Sequence, residues 1–165
     1  MGSVERLARK SPPLVATVGA LAVEPGAANV IPGGARLSID VRHPLDRERR
    51  RALARILGDA RRIARRRGLA FVWKPTQENA AVRCSAPLGA ILRRSVVSVQ
   101  GGCPALVSGA GHDAVILSAI APVAMLFVRC RKGLSHHPDE YAAPRDVRAA
   151  LEAMVGFLLR LAQRS

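Results

Sequence analysis

Helical and strand-like hydrophobic periods alternate along this chain, so the sequence predicts an α/β fold whose first part is α+β in character. Three observations carry that reading. Residues 14–24 and 35–42 show the period of two that marks half-buried strands. Residues 46–67 show the three- and four-residue apolar spacing of an amphipathic helix. Residues 122–128, Pro-Val-Ala-Met-Leu-Phe-Val, form an unbroken apolar run that reads as a buried strand between two polar loops.

Taken in order, residues 4–10 read as the closing turns of a helix, stopped by Ser11-Pro12-Pro13. In residues 14–24 the alternation runs through Val15, Thr17, Leu21 and Val23. Pro25-Gly26 then turns the chain, and residues 29–34 form a loop. Over residues 35–42, Leu37, Ile39 and Val41 share one face while Ser38, Asp40 and Arg42 share the other. Asp46 is placed to cap the next helix, whose apolar stripe is Leu53, Ile56, Leu57, Ala60, Ile63 and Ala64, and Gly68 ends it. Residues 69–74 predict a further strand with Trp73 at its solvent edge. Strand, strand, helix, strand, preceded by a helix end, resembles a ferredoxin-like βαββαβ unit lacking its first strand and part of its first helix. Such a unit leaves a sheet edge and part of an apolar face uncovered.

Composition shifts over residues 75–85, which divides the chain into residues 1–78 and residues 79–165. The second part opens with a helix over residues 87–99, with Leu88, Ile91, Leu92 and Val96 inward, broken by Gly101-Gly102. A short strand over 105–107 leads into Ser108-Gly-Ala-Gly111, whose small residues let the backbone approach a ligand closely. The spacing and lysine of a phosphate-binding P-loop are missing there. Residues 112–119 predict a short helix and 123–130 a strand. Residues 144–162 predict a closing helix with Val147, Leu151, Met154, Val155, Leu158 and Leu159 inward.

Charge and cysteine content narrow the functional classes. The net charge is +14; Lys and Arg number 26, and only Lys10, Lys74 and Lys132 are lysines, leaving 23 arginines. Their densest cluster, residues 47–67, falls on one side of an amphipathic helix and reads as a solvated face. With aromatic residues at 3% there is no stacking platform, so specific nucleic-acid recognition is not expected. The three cysteines, Cys84, Cys103 and Cys130, lack the pairing of a disulfide framework or a Cys-type zinc site. No run reaches membrane-spanning length and the N-terminus has no apolar signal region, so the expectation is a cytoplasmic protein that makes no membrane contact.

Chemistry concentrates in three segments. Ser108-Gly-Ala-Gly-His112-Asp113-Ala114 and Leu134-Ser-His136-His137-Pro138-Asp139-Glu140 hold three of the four histidines. The third runs from Ala16-Thr-Val-Gly19 through Asn29-Val-Ile-Pro32-Gly33 to Ser38-Ile-Asp40-Val-Arg42-His43-Pro44. In this order and spacing they resemble the metal-dependent amidohydrolase family of allantoate amidohydrolase, N-carbamoyl-L-amino-acid hydrolase and β-ureidopropionase. That family lies within the aminoacylase and carboxypeptidase-like metallopeptidase superfamily. The resemblance runs from about residue 4 to the C-terminus.

The resemblance implies a fold and a set of roles. Residues 1–78 correspond to part of a dimerisation or lid domain, and residues 79–165 to the C-terminal part of a metallopeptidase-like α/β catalytic domain. Asn29 and Arg42 correspond to residues that bind the substrate's carboxylate end, and both are expected to converge on it. Gly111 and His112 correspond to residues lining the substrate pocket, and His136 to the last ligand of a two-metal centre. Zinc or manganese are the expected ions, and nickel and cobalt also suit such ligands. A guanidinium grips a carboxylate through two parallel hydrogen bonds, and a neutral imidazole is a common ligand of divalent ions. The alternative role for Arg42 is a surface ion pair with Asp40. His43 and His137 are read as structural.

Members of that family are much longer chains. Their N-terminal half carries most of the metal ligands and a Glu-Glu pair supplying the general base; no Glu-Glu pair occurs here. A catalytic metal needs about three protein ligands. The expectation is therefore the C-terminal portion of an enzyme hydrolysing carbamoyl or ureido amides, with no catalytic residue of its own. It would pair with another copy or with a missing N-terminal half, and take a small carboxylate-bearing substrate. A non-catalytic dimerisation or binding fragment is the alternative.

Overall fold

The computed structural model describes residues 1–163. It forms two compact units, one from Met1 to Ala81 and one from Val82 onward. Helices and strands are both present, as the periodicity predicts.

The first unit is a hairpin backed by two helices. Helix α1 (Gly2–Lys10) is followed by strands β1 (Val15–Glu24) and β2 (Gly34–Arg42), which pair antiparallel, and by helix α2 (Asp46–Arg66). Pairing is regular from Val15↔Arg42 to Val18↔Ile39, then slips by one so that Leu21 faces Leu37. Gly19 and Ala20 thus oppose Ser38 alone, a β-bulge, and Ser38 Oγ accepts the Ala20 N–H at 3.0 Å. The bulge reverses the alternation of β1, because one extra residue moves every later side chain to the other face. Ala16, Val18, Leu21 and Val23 therefore share a face with Leu37, Ile39 and Val41. The simple alternation of Val15 and Thr17 with Leu21 and Val23 is overturned. Val15 and Thr17 lie on the polar side, opposite Arg42 and Asp40.

α1 packs against β1 and α2 against β2. The buried side chains are Val4, Leu14, Ala52, Ile56, Leu57 and Ala64. Ile63, expected inside, is half exposed. Asp46 does not cap α2; it is the helix's first residue and the cap position, Leu45, makes no side-chain bond. Its carboxylate instead accepts the Ala81 N–H at 3.2 Å and bonds the largely buried Arg49, which also reaches Glu78 at 3.1 Å. This network ties residues 78–81 to the start of α2.

Residues 69–74 do not pair as a strand, contrary to the sequence reading; the only sheet among the described residues is the hairpin. In a split βαβ arrangement the unit's first strand lies between the two strands joined by the helix. No segment of the described residues fills that position, so residues 69–74 have no neighbour to bond.

The second unit rests on two helices, α3 (Ala86–Gln100) and α5 (Pro144–Ala162). Ser85 caps α3 by accepting the Leu88 N–H, and Gly101 closes it in the left-handed region, at φ 77°. Leu92, Val96 and Ala153 form the core, with Val99, Cys103, Ala124, Leu126 and Phe157 around it. Ser95 is fully buried and donates to the Ile91 carbonyl at 3.2 Å. Arg160 donates to the Gly156 carbonyl at 3.0 Å and reaches Ser95 Oγ at 3.4 Å.

Here the expected inward face of α5 is wrong. Leu151, Val155, Leu158 and Leu159 are each more than half exposed, while Ala153 is 2% exposed. Interaxial distance is set by the side chains at the crossing. Ser95, Ala153 and Gly156 let α3 and α5 approach closely, so the small-residue side of α5 is the buried one.

The expected strands at 105–107 and 123–130 are also absent, and Phe127 and Val128 are exposed rather than buried. A ladder needs a neighbouring strand, and none pairs with these segments among the described residues. Between them lies the short helix α4 (Asp113–Leu117). Among the described residues no helix is long and apolar enough to cross a membrane.

The helix contact generates a measurable ranking. Ala153→Leu should overpack the α3–α5 contact and lower stability by about 1–3 kcal/mol. Leu151→Ala, on the exposed side, should change it by less than about 0.5 kcal/mol. Urea unfolding midpoints of the two variants decide this, and the reverse order would mean that the large aliphatic face is buried.

Candidate functional site

The candidate residues fall on three exposed segments, one in the first unit and two in the second. Arg42 ends β2 on the face opposite Ile39 and Val41, as the alternation predicts. Its guanidinium grips Asp40 side-on, with Nε donating to Oδ1 at 2.8 Å and Nη2 to Oδ2 at 2.6 Å. The surface ion pair is thus present. Two parallel bonds fix the plane of the guanidinium.

The pair also sets the titration of Asp40. The Arg42 hydrogen bonds hold its carboxyl below the ordinary carboxylate range, partial burial opposes this, and the Arg42 charge reinforces it. Arg42 is pushed upward by the same bonds and charge. A lowered carboxyl contributes stability above its ordinary pKa, and that stability is lost as pH falls through the lowered value. Both side chains are about half exposed, 50% and 49%, so the contribution is at most about 1 kcal/mol.

Asn29 lies in the fully exposed turn of residues 27–30 within the loop joining the strands. That loop leaves the hairpin where Glu24 pairs with Gly34, whereas Arg42 pairs with Val15 at the other end. From Gly34 to Arg42 the strand advances about 26 Å. The hairpin therefore does not bring Asn29 and Arg42 to one point. His43 follows Arg42, and its Nδ1 accepts the Leu45 N–H at 3.0 Å.

In the second unit, Gly111 is exposed and His112 is the residue before α4. His112 Nε2 lies 2.6 Å from Ser108 Oγ, and the ring meets Phe127 edge-on with centroids 6.3 Å apart. Ser108 belongs to the Gly-rich string, but sequence alone did not assign it a role. The signal was available, because a loop of small residues folds back easily enough for a hydroxyl to meet a ring four positions on.

His136 sits in a loop closed at its base, where the Arg131 N–H donates to the Tyr141 carbonyl at 2.8 Å and the Arg131 guanidinium covers the Tyr141 ring. His136 has φ 57°, uncommon for a residue with a side chain, and its N–H donates to Glu140 Oε2 at 2.8 Å. Such conformations cluster at functional sites and need a surrounding bond to hold them. His137, read as structural from the sequence, opens the string His137-Pro138-Asp139. It is bonded to itself: His137 Nδ1 accepts the Asp139 N–H at 3.1 Å, with the carboxylate 3.7 Å away.

Among the described residues no group of three or more His, Cys, Asp or Glu side chains could hold a metal ion. His136 alone does not make a metal centre, since such a site needs about three protein ligands.

Comparison with known proteins places this arrangement. Residues 5–160 match Peptidase family M20/M25/M40. The chain belongs to that family. An N-carbamoyl-L-amino-acid amidohydrolase of Pseudomonas sp. (strain NS671) is 36% identical over 146 residues, 87% of this chain and 35% of the relative. Allantoate deiminase 2 of Glycine max is 36% identical over 156 residues, 90% of this chain and 32% of the relative. A hydantoinase/carbamoylase-family amidase of Burkholderia vietnamiensis has the same fold, with a TM-score of 0.87 at 32% identity, over 96% of this chain and 39% of that one. This M20-family chain spans about a third of the length of the curated relatives it matches.

One titration tests the Asp40–Arg42 geometry. The Asp40 carboxyl carbon, followed by NMR, should titrate below an ordinary aspartate and return toward the ordinary value in Arg42→Ala. An unshifted Asp40 in the unsubstituted chain would mean that the ion pair does not persist in solution.

Proposed function

We propose that this chain is the C-terminal portion of a metal-dependent amidohydrolase acting on linear amides of the carbamoyl or ureido type, such as N-carbamoyl amino acids or allantoate. The observation that carries the reading is its similarity along nearly its whole length to an N-carbamoyl-L-amino-acid amidohydrolase and an allantoate deiminase. In this reading residues 1–78 are part of a lid or dimerisation domain, and residues 79–165 the C-terminal part of the catalytic domain.

Arg42 takes the substrate's carboxylate, for which it has the right chemistry and an exposed position on the open face of β2. Asp40 orients the guanidinium. Asn29 lies about 26 Å along the hairpin from Arg42, so it contacts substrate only across an assembly of two copies, since no small carboxylate spans that distance within one chain. Gly111 and His112 line the pocket, and His136 provides one metal ligand, the others lying outside this chain. Zinc or manganese are the ions proposed, with nickel and cobalt as further candidates. The exposed apolar side of α5 and the unpaired edges of the hairpin fit association with a second copy or with the remainder of the enzyme.

Arg42→Lys in the complete enzyme tests the carboxylate role. Lysine keeps the charge and loses the two-pronged geometry. A charge-assisted bond contributes about 1.5–3 kcal/mol, so kcat/KM should fall about ten- to a hundredfold on a carboxylate-bearing substrate. The loss should be much smaller on the analogue whose carboxylate is an amide. Equal losses on both, or none on either, would leave Arg42 a structural residue.

A further inference from the structure

His112 and Ser108 form a short contact in which the direction of donation fixes which ring nitrogen carries the proton. A neutral imidazole has one N–H donor and one bare acceptor nitrogen, and a serine hydroxyl has a single proton to give. Three polar atoms surround Ser108 Oγ. The Ala110 N–H donates to it at 3.1 Å, the Ala110 carbonyl lies at 3.2 Å, and His112 Nε2 lies at 2.6 Å. A hydroxyl donating to oxygen makes bonds of about 2.5–3.0 Å. The Ala110 carbonyl, at 3.2 Å, lies beyond that range, and His112 Nε2, at 2.6 Å, is the nearer of the two candidate acceptors for the single hydroxyl proton.

From this we infer that Ser108 is a positioning residue: its hydroxyl proton goes to His112 Nε2, which holds the ring in the Nδ1–H form and presents a ring N–H donor to an oxygen acceptor of the ligand. One further observation fits. The Ala110 N–H occupies a lone pair of Ser108 Oγ, which polarises the hydroxyl toward donation. Phe127 meets the His112 ring edge-on at 78°, with centroids 6.3 Å apart. Nδ1 itself bonds none of the described residues, and the His112 side chain is exposed, so that nitrogen is available to a ligand. The chemistry it selects is a carbonyl or carboxylate oxygen rather than an amide N–H. This rests on the reading of His112 as a pocket-lining residue, while the placement of the proton does not.

The test is a long-range 1H–15N imidazole spectrum of the uniformly labelled 165-residue chain, at a pH where its imidazoles are neutral. The His112 signals are assigned by their loss in His112→Asn. The expected result is an Nε2 shift in the range of an unprotonated ring nitrogen and an Nδ1 shift in the protonated range. Ser108→Ala should move both toward the mixed values of an unconstrained imidazole, and Ser108→Thr, which keeps the hydroxyl, should restore them. A chain in which Nε2 carries the proton would overturn the assignment without any variant, and so would a Ser108→Ala chain with unchanged ring shifts. Because no substrate enters the measurement, its failure is distinct from failure of the Arg42 comparison.

Discussion

The constraint on which the rest of the structure depends is that a strand exists only beside another strand. Each unpaired backbone donor and acceptor must otherwise find water or a side chain. The chain has several segments with strand-like composition, and among the described residues one pair bonds, β1 with β2. That pair gives the first unit a sheet with two distinct faces, one apolar, which is partly covered near Val18, Ile39 and Val41 and exposed at Leu21, Val23 and Leu37, and one carrying Asp40 and Arg42. Among its described residues the second unit has no such pair, and its core is the α3–α5 contact.

Three of the candidate residues have bonds to partners close in sequence. Arg42 is fixed by a residue two positions away, His112 by one four positions away, and the His136 backbone by Glu140, also four away. Local bonds of this kind set ring planes and guanidinium orientation without a complete site around them. Such pre-positioning lowers the cost of ordering each group when a ligand arrives. Metal binding is different in kind, because it requires about three protein ligands at once, and the proposed role of His136 accounts for a single one.

Much of this was legible in the sequence. The bounds of α3 and α5 follow from Pro near their starts and, for α3, from Gly101 at its end. The open-face position of Arg42 follows from strict alternation in β2. The bulge at Gly19 and Ala20 was not legible, since it depends on Ser38 across the hairpin. Nor was the buried side of α5, because the pattern of large aliphatic residues pointed away from the small residues that actually meet α3. The apolar run at 122–128 carries strand-like composition, but pairing belongs to the neighbour as much as to the run itself. The Ser108–His112 bond depends on the fold-back of the Gly-rich loop, which spacing alone does not reveal.

Whether catalysis requires residues beyond this chain is the central point, and ammonia release tests it most directly. The purified 165-residue protein, incubated with zinc or manganese and either allantoate or an N-carbamoyl amino acid, should release none above the uncatalysed rate. Turnover by the chain alone that disappears in His136→Ala would contradict the reading, since it would mean that the described residues complete an active metal centre among themselves.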